Sequence, residues 1–427
     1  MAKKLLLILA VLVLTFYHIY PQGLPVFGYT FIVATGALGL FFYIQNHYPY
    51  GEAMTIIGAY GLMIGWCIFC MFLNGRGDSY WIDFTKTQSA WFFSAYFIIS
   101  IFFMAHPKGG FDKLCYYIIG AIFLQCVISV VMYQDESIAS FFNSLQKLDT
   151  IAIAKRDETE GKRLLGYGTA FFGAGIACGL AMILVIYIIM TKKLNMFQLI
   201  FAAFVYSSIF YIGLLTARTT IVGGGASLAL AVILAFTRNT QRKQILSYVL
   251  YCIILLSIGY SLCYIYFEEF ADWAFEAFIN YQETGEFRTK SSDGLTSQMF
   301  LTPLTTFNWI FGEGHGHYFG VDVGFTRLLF WIGLPGTIMF FYFIYTTMKF
   351  CVTKNQALNF TLIVIFAYNL ALNWKGFSEL NYATFLFTFY FLHYKYYIYT
   401  PYLYRLGYRD KTKLRYAFQT PASGRRV

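Results

Sequence analysis

The 427-residue chain carries little charge. Only 12% of its residues are Asp, Glu, Lys or Arg, whereas 58% are apolar, with 47 Phe and 36 Tyr among them. A soluble domain of this length would need far more charge to stay dispersed, so the composition argues against a soluble globular protein. Stretches of about 18 or more residues almost free of charge recur along the chain, which predicts an all-α polytopic membrane protein.

The chain also lacks the cysteine pattern of a disulfide framework. Its eight cysteines lie in or beside apolar runs, and Cys67 and Cys70 have redox-motif spacing inside an apolar run. We interpret them as small apolar side chains that pack within spans. Signatures of nucleophile triads, dinucleotide folds, phosphate loops and calcium-binding EF-hands are absent from the sequence. We predict no cofactor and no cysteine chemistry.

Hydropathy predicts about twelve membrane-spanning helices with both termini in the cytoplasm. The first apolar run starts like a signal peptide, but no small-residue cleavage site follows it, so we expect a retained first span. One transmembrane domain over residues 1–400 would precede a basic cytoplasmic tail over 401–427. The spans are expected at roughly 4–20, 25–44, 53–73, 88–105, 114–132, 166–190, 196–216, 219–236, 245–266, 326–347, 358–373 and 380–400.

The basic residues set the predicted orientation. With the N-terminus inside, most Lys and Arg residues fall on the cytoplasmic side and most acidic residues fall on the outer side, as the positive-inside rule requires. The net charge of +10 therefore reports topology, and we predict contact with membrane lipid and no nucleic-acid partner. Two long external loops, 133–165 and 267–325, lie on the outer side, where function is expected to concentrate.

Two arginines stand at the predicted outer ends of spans. Arg163 precedes the sixth span, and Arg218 lies in a very short turn within GLLTARTTIVGGG. An arginine at the mouth of a bundle is costly unless it meets an anion, and its planar fork suits a phosphate or pyrophosphate. The alternative is a side chain that snorkels to water from a helix end. Nearby glycines, in GTAFFGAGIACG and GGGAS, would let helix backbones pack closely or leave a groove between them.

The second long loop contains two features of interest. FEEFADWAFEAF (267–278) predicts an amphipathic helix on the outer surface, where Trp273 would anchor at the interface or stack on a sugar. GEGHGHYFGVDVG (312–324) then combines five glycines with His315, His317 and Asp322. Its polar groups suggest a metal site without the spacing of well-defined zinc motifs, acid–base chemistry at a membrane-edge cleft, or a turn that faces solvent. We predict no metal.

Three pieces of the sequence, taken in order, resemble bacterial O-antigen and capsule repeat-unit polymerases of the Wzy type. The first two are RLLGYGTAFFGAGIACGLAMIL, after the first long loop, and GLLTARTTIVGGGASLAL, with its threonine and arginine turn. The third is FGEGHGHYFGVDVGFTRLLFWIGLPGTIMF, with Gly-x-Gly, Asp-x-Gly and Gly-x-x-Gly. The likeness covers roughly residues 160–345 and the twelve-span layout.

This resemblance implies a GT-C-like glycosyltransferase of the bacterial inner membrane whose active site faces the periplasm. It would join undecaprenyl-pyrophosphate-linked oligosaccharide repeat units into polysaccharide, with a flippase and a chain-length regulator as partners. The implied site residues are Asp322, His317 and His315 for proton transfer and Arg163, Arg218 and Arg327 for the pyrophosphate, with Arg327 also a partner for Asp322. An O-antigen ligase, which has a histidine near the place of Asp322, and a lipid-linked oligosaccharide flippase are the alternatives.

Overall fold

All regular secondary structure in the described part of the chain is helical. The computed structural model describes residues 2–19, 31–46, 51–75, 77–145, 163–168, 171–237, 242–286, 288–289, 293, 300–316, 322–377 and 379–395. The helices are α1 Ala2–Thr15, α2 Phe31–Asn46, α3 Gly51–Asn74, α4 Tyr80–Ala105, α5 Phe111–Gln134, α6 Glu136–Ser144, α7 Phe171–Thr191, α8 Met196–Thr216, α9 Thr220–Thr237, α10 Arg242–Tyr266, α11 Glu268–Thr284, α12 Thr306–Phe311, α13 Gly324–Lys349, α14 Gln356–Asn373 and α15 Glu379–His393.

The apolar helices fall where spans were predicted. Within the described residues, α3, α4, α5, α7, α8, α9, α10, α13 and α14 are long and apolar enough to cross a membrane. The helices α1 and α2 are apolar but shorter, and α15 has 15 residues. The all-α, multi-pass fold is therefore confirmed, and the count of twelve spans stays a prediction. The basic tail over 401–427 lies outside the described residues.

Helix α7 occupies the centre of the bundle. In its most apolar stretch, 89% of the residues are buried inside the protein. They pack against α5, α8, α9 and α14. Gly179 on α7 faces Gly223 on α9 so closely that a Cβ added to Gly223 would lie 2.1 Å from the Gly179 Cα. Any side chain there would push the helices apart. These glycines therefore have the packing role that the sequence suggested as one of two alternatives.

Helix α13 is interrupted in its first half. Gly333 has a non-helical backbone (φ 65°, ψ −175°), and Pro335 follows it. Because a break of this kind removes donors from the helical ladder, the carbonyls that precede it need partners from elsewhere. Those partners are Glu313 N to Phe330 O at 2.6 Å, Gly314 N to Trp331 O at 3.2 Å and Trp66 Nε1 to Ile332 O at 2.9 Å.

The glycine-rich stretch before α13 is thus packed against the broken helix. Gly312 and Gly314 have φ values of 64° and 76°, in the left-handed region that glycine tolerates. A Cβ on Gly312 would also lie 2.7 Å from the Gly333 N atom. Asp78, which precedes α4, holds the end of the stretch, because its Oδ2 accepts a hydrogen bond from Gly316 N at 2.9 Å. These glycines allow one backbone to approach another.

Candidate functional site

Arg218 is fixed in the turn between α8 and α9. Its carbonyl accepts a hydrogen bond from Ile221 N at 3.0 Å, and its side chain is only 10% exposed. The segment 163–168 lies alongside, because Leu164 N donates to Leu215 O at 3.1 Å. The fold therefore brings Arg163 to the same end of the bundle as Arg218, although 54 residues separate them in the sequence.

Trp273 on α11 contacts both arginines. The guanidinium carbon of Arg163 is 4.6 Å from the centre of the indole ring, and that of Arg218 is 4.4 Å from it. Attraction between each cation and the ring offsets part of the repulsion between the two like charges. The indole ring therefore contacts both guanidinium groups and brings the two arginines into one cluster.

Arg218 is only partly paired. Its Nη2 lies 2.5 Å from Oε2 of Glu276 on α11, but its Nε and Nη1 atoms are buried without a hydrogen-bond partner among the described residues. The hydroxyls of Thr219 and Thr220, in the same turn, are buried and without a partner there too. Buried polar groups in native proteins are normally hydrogen-bonded. Several donors at this turn would be satisfied by a ligand with more than one anionic oxygen.

Lys375, in the turn after α14, adds a third cation. Burial, followed by the positive charges of Arg218 and Arg163, lowers the pKa of its ammonium group to about 8, against an opposing effect of the Asp322 carboxylate. The charges of Arg163, Arg218 and Asp322 therefore all act on Lys375. Burial and the charge of Arg218 lower the pKa of Arg163 as well. The site is therefore positively charged and partly shielded from water.

Burial also lowers the pKa of Arg218, but the charge of the Glu276 carboxylate and its hydrogen bond raise it. Glu276 thus stabilises the arginine in its charged form while it occupies one of the three guanidinium nitrogens. The arrangement leaves the other two nitrogens of Arg218 without a hydrogen-bond partner among the described residues, and an anion could bind them. An anion at this position would compete with Glu276 for Arg218.

Four of the predicted site residues are described by the structure near the turn after α14. The charges of Arg163, Arg218 and Asp322 act on Lys375 in that turn. Arg327 contacts the glycine-rich stretch and the turn after α14: its Nη2 donates to Gly316 O at 3.2 Å, and its guanidinium carbon is 5.3 Å from the centre of the ring of Phe377, two residues after Lys375. The ion pairs of the described residues do not include the one expected between Arg327 and Asp322.

The structure describes only one of the two histidines in the glycine-rich stretch. His315 is half-buried on the segment that packs against the break in α13, between Gly314 and Gly316. His317 lies outside the described residues. Among the residues that the structure does describe, no three His, Cys, Asp or Glu side chains come together as metal ligands do.

Two members of the site were missed from the sequence. Lys375 lies in the short segment NWKGFSEL between the last two apolar runs, and the argument applied to Arg218, a cation in a short turn between spans, applies to it equally. Glu276 follows Trp273 by three residues on an amphipathic helix, so the two side chains share a face. That spacing was the available signal for Glu276.

The arrangement supports two chemical tasks. Three cations and the donors of the Arg218 turn can bind an anionic group with several oxygens, and the exposed carboxylate of Asp322 can accept a proton beside it. No family model matches the chain, and the comparisons with curated proteins and with solved structures found no match either.

Proposed function

We propose that this protein is a glycosyltransferase that joins undecaprenyl-pyrophosphate-linked oligosaccharide repeat units into O-antigen or capsule-like polysaccharide at the outer face of the bacterial inner membrane. The observation that carries the proposal is the pair of arginines on Trp273, with two Arg218 nitrogens buried and unpaired among the described residues. A guanidinium fork is well suited to the oxygens of a pyrophosphate. The ordered sequence motifs support the sugar chemistry and the choice of a polymerase.

The proposed reaction transfers one glycosyl group and one proton. A hydroxyl oxygen of the acceptor sugar attacks the anomeric carbon of the donor, and the bond from that carbon to the pyrophosphate oxygen breaks. The electron pair leaves with the lipid pyrophosphate, and Arg163, Arg218 and Lys375 would stabilise the charge that develops there. The proton of the attacking hydroxyl would pass to Asp322, whose side chain is exposed. The bond to pyrophosphate supplies the energy, so no nucleotide is needed.

The test uses the surface glycan of a strain whose own gene is deleted and replaced by variants. We expect Arg163→Ala and Arg218→Ala to remove long chains while a single repeat unit remains attached to the lipid core. Arg288→Ala is the matched control, because Arg288 is 65% exposed and pairs with an exposed Glu286; this strain should keep its long chains. Immunoblots must show equal amounts of each variant in the membrane. Long chains in the Arg218→Ala strain would contradict the pyrophosphate role.

The same strains separate the polymerase from the two alternative activities. Loss of all surface glycan with accumulation of lipid-linked polymer would identify a ligase. Accumulation of repeat units on the cytoplasmic leaflet would identify a flippase. Either result would overturn the polymerase proposal.

A further inference from the structure

An apolar groove lies among α7, α8, α9 and α10. Its volume is about 400 Å³ and none of its 17 lining residues is charged. Two of the lining hydroxyls, those of Tyr206 and Ser227, hydrogen-bond to each other at 2.8 Å. A volume of this size lies within the range of about 300–1,000 Å³ that is typical of small-molecule sites. The groove therefore suits an apolar ligand.

The groove exists because α10 is poorly packed. This helix packs chiefly on α8. In its most apolar stretch, only 11% of the residues are buried inside the protein. The facing side of α9 carries Gly224 and Gly225, and a Cβ added to Gly225 would meet nothing within 4 Å. The space between α9 and α10 is therefore bounded by few side chains and borders the lipid-facing surface of α10.

One end of the groove reaches the Arg218 turn. Ile221 lines the groove, and its backbone N–H donates to the Arg218 carbonyl at 3.0 Å. Ala231, ten residues further along α9, also lines it, so the lining extends over about 15 Å along this helix. A molecule with an anionic head at Arg218 would place an attached apolar chain along this path.

We propose that the groove holds the polyisoprenyl chain of the lipid carrier while its pyrophosphate lies at Arg218, an inference that rests on the proposed function. Arg163 and Arg218 meet on Trp273 at the Arg218 turn, and their charges act on Lys375; the groove reaches the same turn through Ile221. Three positive charges fit a pyrophosphate better than the single phosphate of a membrane phospholipid. From the Arg218 turn, the uncharged lining of the groove continues along the membrane-spanning helices α9 and α10. The carrier lipid combines both properties in one molecule.

The experiment uses the full-length protein in detergent and a farnesyl pyrophosphate analogue with a benzophenone at the end of its prenyl chain. After irradiation, we expect the label in peptides of α9 and α10. Gly225→Leu should lower the yield at least about tenfold, because the leucine side chain fills the space that the chain needs. Gly61→Leu on α3 is the matched control, since a Cβ at Gly61 also meets nothing within 4 Å; its labelling should equal that of the unaltered protein.

Three results would overturn the inference: label that maps to other helices, equal labelling of the Gly225→Leu and Gly61→Leu proteins, or equally strong labelling of the groove by a phosphatidylcholine with benzophenone on its acyl chain. The outcome is separable from that of the proposed function. Label in the groove together with accumulation of lipid-linked polymer in the Arg218→Ala strain would support the groove and contradict the polymerase. Label elsewhere together with loss of long chains in that strain would do the reverse.

Discussion

Lys375 is expected to make anion binding at the Arg218 site depend on pH between 7 and 9. Its pKa is lowered to about 8 by burial and by the charges of Arg218 and Arg163, whereas both arginines stay charged over this range. Between pH 7 and pH 9 the protonated fraction of Lys375 falls from about nine-tenths to about one-tenth. If the anion requires the protonated lysine, its affinity falls about tenfold, which corresponds to about 1.4 kcal/mol. The affinity must fall as the pH rises, because loss of a cation weakens the binding of an anion.

The assay is a titration of the purified protein with a short-chain prenyl-pyrophosphoryl sugar, whose charge is constant between pH 7 and pH 9. The unaltered protein should show the tenfold decline. Lys375→Arg should bind with little dependence on pH, because arginine remains protonated, and Lys375→Met should bind weakly throughout. A constant affinity of the unaltered protein would refute the role of Lys375, and an equal decline in Lys375→Arg would assign the pH dependence to another group.

Two further predictions concern Glu276 and the glycine-rich stretch. Glu276→Gln removes the carboxylate paired with Arg218, so the thermal unfolding temperature should fall, while pyrophosphate should bind more tightly and restore more stability than in the unaltered protein; unchanged affinity would contradict competition at Arg218. Gly312→Ala combines a φ of 64° with a close backbone contact, whereas the control Gly285→Ala has a φ of 76° and open space. Thermal-shift measurements should show a loss of about 1–2 kcal/mol for the control and a larger loss for Gly312→Ala, and equal losses would refute the packing role of Gly312.

The helices could be predicted from sequence because a span needs little more than a long apolar run. The meeting of Arg163 and Arg218 followed from topology, since both were placed at helix ends on the same side. Lys375 was different: in the sequence it looks like any loop lysine, and its burial depends on the packing of α14 against its neighbours. Tertiary contacts of this kind leave no periodic signal in a single sequence.

The contacts of the glycine-rich stretch could not be predicted from the sequence either. Its histidines and glycines suggested a ligand or a catalytic cleft, but the backbone of Glu313 and Gly314 bonds to the interrupted first half of α13. The break itself lies inside an apolar run that predicts an ordinary span. A further partner of the break, Trp66, comes from a helix more than 200 residues earlier, and no local pattern connects it to Gly333.

The burial of α7 shows that the hydropathy of a helix and its burial inside the protein are separate properties. The two helices have similar mean hydropathy, yet 89% of the most apolar stretch of α7 is buried inside the protein and only 11% of that of α10 is. Insertion of a helix into the bilayer depends on its own composition, whereas assembly depends on the shapes of its neighbours. On this basis the two helices would enter the membrane equally well, and α7 would then exchange its lipid contacts for protein as the bundle assembles. A small-to-large substitution at Gly179 should therefore leave insertion intact and block assembly.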